Sequence, residues 1–154
     1  MKRLIPLIIV LFSTTCFAQQ KVVATLENPP AVVTPKGYSQ VAVIDMGNSY
    51  MLLLSGQVAL DKSGQLVGKG DVAAQIEQTF ANIKAIVESK GGTMANVVKL
   101  NYYLIDVANI QTVRAIRDKY IDVNHPPAST LVQVSKLFRD DVLVEIEATA
   151  VIPK

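Results

Sequence analysis

Residues 142–151 alternate with a period of two. Val142, Val144, Ile146, Ala148 and Ala150 fall on one face, and Leu143, Glu145, Glu147 and Thr149 on the other. Only an extended chain sends successive side chains to opposite sides, so this segment is a strand with one apolar face. Residues 97–105 repeat the pattern, with Val98, Leu100, Tyr102 and Leu104 opposite Lys99, Asn101 and Tyr103. Two half-buried strands need a second layer over their apolar side. The stretch 71–90 supplies one. Its residues Val72, Ile76, Phe80, Ile83 and Val87 are spaced four, four, three and four, which is one face of a helix. Asp71 suits its N-cap and Gly91-Gly92 its end, and Phe80 reads as core.

A second helix is expected over 109–123, with the stripe Ile110, Val113, Ile116 and Tyr120. Asp106 is placed to cap it, and His125-Pro126-Pro127 to end it. Further strands are expected at 21–26, 39–44, 49–60 and 131–137. Met46-Gly47-Asn48 forms a hairpin turn between the second and third of the chain's strands. The unbroken apolar run Met51 to Leu54 predicts a strand buried on both faces. The order β-β-β-α-β-α-β-β gives an α+β class, a mixed sheet with both helices on one face. The other face, carrying Glu145 and Glu147 among apolar neighbours such as Leu143 and Val151, is expected to be covered by another subunit. The chain has 154 residues and shows no linker or repeat, so residues 19–154 read as one domain.

Residues 1–18 read as a secretory signal. Lys2 and Arg3 precede an apolar run from Leu4 to Phe12, then small and polar residues up to Ala18. That run is shorter than the ~20 apolar residues a membrane span needs, so no stable membrane insertion is expected. Cleavage after Ala18 gives a periplasmic or secreted protein starting at Gln19. The alternative is a lipid on Cys16. Cleavage removes two of the 15 basic residues and none of the 13 acidic ones, leaving 13 of each. A neutral domain with no Lys/Arg run lacks what a nucleic-acid binder needs, so no nucleic acid partner is expected. With one Cys and one His in the chain, no thiolate or imidazole metal site is expected.

Glu145 and Glu147 point the same way from one strand. Such a pair can share acid–base work or simply face solvent. Gly37-Tyr38-Ser39-Gln40 and Ser55-Gly56-Gln57 are small-residue stretches that offer backbone N–H groups, or plain turns. His125 is the one partner available for a serine triad and is otherwise a loop residue. Arg117, three residues after Arg114, sits at the edge of its helix's apolar stripe, either covering apolar surface or entering a pocket.

Those residues carry a resemblance. Gly37-Tyr38-Ser39-Gln40, Ser55-Gly56-Gln57 with Asp61 and Gly64, Gln75, Asn82-Ile83, Val98-Lys99, Asp106, Tyr120, Pro127-Ala128 and Glu145-Ile146-Glu147-Ala148 occur in the order found in the RidA/YjgF family. The resemblance covers essentially all of residues 19–154. It implies a chorismate-mutase-like fold, a homotrimer with ligand pockets at the subunit clefts, no metal or organic cofactor, and a small ligand with a carboxylate. Family members with every motif hydrolyse the imines and enamines shed by pyridoxal-phosphate enzymes to 2-keto acids and ammonia. By this resemblance Glu145 places the attacking water as the catalytic group, and Tyr38, Ser55 and Gly56 shape the pocket.

Two positions depart from the family pattern. Ser129, in Pro127-Ala128-Ser129-Thr130, stands where the deaminases have the Arg that clamps the substrate carboxylate. Serine cannot form a bidentate, charge-assisted clamp. Arg117 stands where the family shows an Asn in its helix motif Asn-x-x-Tyr. The expected ligand-binding set is therefore Tyr38, Ser55, Gly56, Arg117 and Ser129. Weak or absent turnover of 2-iminobutanoate and 2-iminopropanoate is expected, the alternatives being a non-catalytic small-metabolite binder and a chaperone-like trimer.

Overall fold

The computed structural model describes residues 24–154. The expected signal segment, its cleavage point and Cys16 lie outside the described residues. Eight regular elements follow in order: β1 (Ala24–Glu27), β2 (Val41–Asp45), β3 (Ser49–Gln57), α1 (Val72–Glu88), β4 (Val97–Leu104), α2 (Ile110–Arg117), β5 (Ala128–Gln133) and β6 (Val144–Pro153). The strands form a six-stranded sheet in the order β1-β2-β3-β6-β4-β5. Only β4 and β5 run parallel, because α2 carries the chain across between them. The α+β order expected from the sequence is the order observed.

Helix α1 begins where Asp71 accepts a hydrogen bond from the Ala74 N–H at 3.0 Å, a cap worth about 1 kcal/mol. Its apolar stripe Ile76, Phe80, Ile83 and Val87 is fully buried against Leu52, Leu100, Ile146 and Ala150 of the sheet. Asp106 accepts from the Ala108 N–H at 2.9 Å and caps a short 3-10 turn that feeds α2. Gly47 adopts φ +90° in the β2–β3 hairpin, a conformation that a residue with a Cβ rarely takes.

Several expectations fail for local reasons. The second helix stops at Arg117 instead of running to 123. Beyond it, the Asp122 carboxylate accepts from the Asn124 N–H at 2.8 Å and bonds the His125 ring at 2.9 Å, so side chains take over the backbone's partners. Tyr120 nevertheless reaches the core, stacking on Phe80 with ring centres 5.0 Å apart. In β4 an irregularity between Val97 and Lys99 turns Val97, not Val98, into the core. The fifth strand is Ala128–Gln133 rather than 131–137, and β3 ends at Gln57 rather than 60. The run 51–54 is not buried on both faces. Leu52 and Leu54 face the helices, while Leu53 is 42% exposed on the open face.

Two buried amides of α1 fix the segments that frame this open face. Gln75 donates to the Asp141 carbonyl at 2.9 Å and accepts from the Leu143 N–H at 2.8 Å, at the entry to β6. Asn82 donates to the carbonyls of Val58 (3.0 Å) and Leu60 (2.9 Å), just beyond β3. Both groups are buried; Gln75 is satisfied by backbone atoms, and Asn82 by these two carbonyls and, at its Oδ1, by Gln78 Nε2 at 2.8 Å.

Candidate functional site

β3 and β6 pair antiparallel, but the register slips between Leu54 and Gln57. Ser55 and Gly56 occupy this slip. A bulge re-aims the side chains around it, and here it brings the Gly56 backbone against Glu145 of β6. A Cβ built on Gly56 would stand 1.8 Å from Glu145 Oε1 and 2.7 Å from its Cδ. Any larger residue at 56 thus competes with the carboxylate for the same space.

The loop before β2 closes over this bulge. Ser55 N–H donates to the Gln40 carbonyl at 3.0 Å, and Ser55 Oγ donates to the Ser39 carbonyl at 2.6 Å. Gln57 Nε2 donates to Gln40 Oε1 at 2.8 Å and to the Ser55 carbonyl at 2.9 Å. Gln40 in turn donates to the Val33 carbonyl at 2.8 Å. The Ser55 hydroxyl proton is engaged in holding the loop, and His125 is far out in an exposed turn bonded to Asp122, so these two form no nucleophile–base pair. What the network does is hold Tyr38 at the mouth of the cleft.

Tyr38, Ser55, Gly56 and Glu145 line one cleft of about 450 Å³, together with Val58, Leu60 and Phe138. Four of the six residues singled out from the sequence therefore meet. A broader groove adjoins it past Leu26 and Leu53, but Tyr38 is its one titratable side chain, so the acid–base chemistry belongs to the Glu145 cleft. Phe138, 62% exposed, was not picked out by the sequence reading. Its one available signal is an aromatic residue that, with Leu137, interrupts the polar and charged residues from 135 to 141.

The two strand carboxylates have different surroundings. Glu147 accepts from Tyr103 Oη at 3.0 Å and from Asn101 Nδ2 at 3.2 Å. Glu145 faces the cleft, and burial, followed by the negative charge of Glu147, raises its carboxyl above the ordinary glutamate value. A carboxyl moved toward neutrality is better matched to taking and returning a proton.

Arg117 and Ser129 do not join this cleft. Leu100 of β4 pairs with Ser129 on one side and Ala148 on the other, and Leu100 faces the helices. Tyr103 pairs with Glu145 on the opposite face. Ser129 and Glu145 thus occupy opposite faces of one sheet. Ser129, Arg117, Arg114 and Tyr102 line a separate small cleft of about 100 Å³ between α2 and β5. Arg117 donates from Nε (2.9 Å) and Nη2 (2.7 Å) to Asp118 Oδ1. Among the described residues, no group of three or more His, Cys, Asp and Glu is placed to hold a metal ion.

A single mixed sheet backed by two helices, with a carboxylate cleft on its open side, defines an α+β small-domain class with a site at one sheet face. Residues 28–152 match the family model described as Endoribonuclease L-PSP. The chain belongs to this family, the RidA/YjgF family. It is 39% identical over 135 residues to a RutC family protein of Pasteurella multocida, spanning 85% of this chain and 97% of that one. It is 37% identical over 134 residues to the 2-iminobutanoate/2-iminopropanoate deaminase of Escherichia coli, with the same coverage. The crystal structure of E. coli TdcF with bound serine superposes with a TM-score of 0.68 at 27% identity, covering 84% of this chain and 98% of that one.

Proposed function

We propose that the Glu145 cleft hydrolyses a small 2-imino acid, or its enamine, to a 2-keto acid and ammonia. The observation that carries this reading is the carboxylate of Glu145, held against the bare Cα of Gly56 and raised toward neutrality inside an apolar-walled cleft. Water adds to the imine carbon while its proton passes to Glu145. That proton then passes to the imine nitrogen to give a carbinolamine, and the hydroxyl proton of the carbinolamine moves by way of Glu145 to the amino group as the carbon–nitrogen bond breaks, leaving a 2-keto acid and ammonia. The likeness to an E. coli deaminase of this substrate class, and to a protein with bound serine, supports a small amino-acid-like ligand carrying a carboxylate.

The family model bears an endoribonuclease description. The cleft offers RNA no basic lining, since its one charged group is an anion. We therefore infer a small molecule as ligand.

Turnover in the wild type is slow because position 129 holds Ser. Imine generated in situ by an amino-acid oxidase, with its decay followed optically, tests this. Wild type accelerates decay weakly, Ser129→Arg raises the rate, and Glu145→Gln returns the wild type to spontaneous decay and lowers the Ser129→Arg rate by up to roughly 10²–10⁴-fold. If wild type, Ser129→Arg and Arg117→Ala all leave spontaneous decay unchanged, the reading is wrong and a non-catalytic binder of small metabolites replaces it.

We further propose export and trimer formation. The first rests on the signal-like residues 1–18, which precede the family match at residue 28. The second rests on the open face, where Leu53 is exposed and Met51, Leu143 and Val151 are half-buried. Because Ser129 and Glu145 lie on opposite faces, a ligand that touches both spans two copies. Protein purified from the exported fraction is expected to begin at Gln19 and to have a light-scattering mass about three times that of one chain. A lipidated Cys16, or the mass of a single chain, overturns the respective half of this proposal.

A further inference from the structure

We propose that Phe138 selects the side chain of the ligand in the Glu145 cleft, so that the cleft takes 2-imino acids with a branched or aromatic apolar side chain in preference to those with a methyl or ethyl group. The inference rests on the hydrolysis reading for the imine and adds to it the class of side chain. A lone apolar residue on a surface needs no explanation. Phe138 is placed differently. It is 62% exposed, yet it lines the cleft that holds Glu145, beside Val58 and Leu60. Its chain neighbour Leu137 is half-buried, so one of the two apolar side chains turns inward and the other toward the cleft. A ring kept out of the core forgoes the stabilisation that burial gives, and regains it when a ligand covers it.

The segment that carries Phe138 is anchored at both ends. Val134 N–H donates to the Leu104 carbonyl at 2.8 Å. Beyond Phe138, Arg139 donates to Asp141 twice, from Nε to Oδ1 at 2.9 Å and from Nη2 to Oδ2 at 2.8 Å. The buried amide of Gln75 then takes the Asp141 carbonyl. Val58 and Leu60 are fixed in the same manner, since the Asn82 amide donates to both their carbonyls. Two buried amides of α1 thus hold the apolar walls in place before a ligand arrives. Preformed walls spare the ligand the cost of ordering them.

Size and lining point the same way. A cleft of about 450 Å³ has room for roughly fifteen water volumes. A methyl or ethyl side chain leaves most of that space to water. An acidic side chain is repelled by Glu145, the one charged group of the lining. A neutral polar one finds few partners, because the Ser55 hydroxyl is already engaged with the Ser39 carbonyl. A bulky apolar side chain instead displaces water from Val58, Leu60 and Phe138. A flat ring gains further by packing on the Phe138 ring.

The test compares 2-keto acids that share one head group and differ in side chain: pyruvate, 4-methyl-2-oxopentanoate and phenylpyruvate. Each is titrated into the isotope-labelled full chain while the Gly56 backbone amide is followed by NMR. The two bulky keto acids are expected to bind roughly tenfold or more tighter than pyruvate. Phe138→Ala should shrink that ratio to about twofold or less, and Phe138→Tyr should keep it, because the ring face is retained. Both substitutions fall on an exposed side chain, and circular dichroism checks their folding. In the Ser129→Arg background, imines made from leucine and phenylalanine should be hydrolysed with a higher kcat/KM than the imine made from alanine, in the same ratio. Equal affinity for all three keto acids, no saturable shift with any of them, or a Phe138→Ala loss that is the same for pyruvate and phenylpyruvate overturns the proposal. A preference that Phe138→Ala removes, in a protein that hydrolyses no imine, upholds the selectivity and removes the hydrolysis reading alone. Hydrolysis without any preference among side chains does the reverse.

Discussion

Gly56→Ala is expected to abolish imine hydrolysis as completely as Glu145→Gln, a loss in the Ser129→Arg background of up to roughly 10²–10⁴-fold in the catalysed rate. The added methyl would overlap Glu145 Oε1 at 1.8 Å. The Gly56 backbone is not in the left-handed region, so alanine is conformationally allowed there and the fold should survive. The carboxylate has to swing away instead, and a misplaced base loses its hold on the water. The measurement is imine decay in both the wild-type and Ser129→Arg backgrounds, with circular dichroism as the check on folding. The wild-type profile should also rise with pH through a limb above the ordinary glutamate value of about 4.3, because burial raises the Glu145 carboxyl and the water-activating form is the ionised one. Gly56→Ala that folds and retains full activity would show that Glu145 is not the proton acceptor.

Phe80→Ala is expected to cost about 3–5 kcal/mol, a large share of the roughly 5–15 kcal/mol that holds a domain of this size together. Phe80 is fully buried in α1, stacks on Tyr120 at 5.0 Å and lies 6.4 Å from the Tyr102 ring. It therefore helps to tie the chain beyond α2 to the core, with Ile121 packed beside it. The midpoint of thermal unfolding should fall by on the order of 10–20 °C. Tyr120 should lose its ordered position too, together with the bond its hydroxyl donates to Glu77 Oε1 at 2.8 Å. Urea denaturation checks the size of the effect. A loss below about 1 kcal/mol would mean that the core closes around the missing ring, contrary to the close packing of such interiors.

The elements most readable from the sequence are those with long, unbroken periodicity. The stripe from Val72 to Val87 specifies α1, and Asp71 caps it where expected. The alternation from Val144 to Ala150 specifies which residues of β6 enter the core and which, Glu145 among them, do not. Where local side-chain bonds compete with periodicity, the sequence misleads. The pattern through Tyr120 suggests that α2 continues, but past Arg117 the backbone tightens to bonds from Lys119 N–H to Ile116 and from Tyr120 N–H to Arg117, and Asp122 holds a turn of its own. The bulge at Val97–Lys99 defeats a strict alternation, because one extra residue inverts which neighbour points inward.

For the site, residue types and local spacing determine that Tyr38, Ser55, Gly56 and Glu145 are present, and that Glu145 faces away from the core. They also determine that a serine stands at 129 where a clamp would need a guanidinium. Only the tertiary structure decides which of these groups meet. A register slip between two strands nearly a hundred residues apart seats Glu145 on the Gly56 backbone. The pairing of β4 with β5 places Ser129 beside Arg117 and Tyr102, behind the sheet and away from that carboxylate. The reason is physical: periodicity along a segment reports which way a side chain points from its own strand or helix. Register and strand order, set by long-range pairing, decide what it points at.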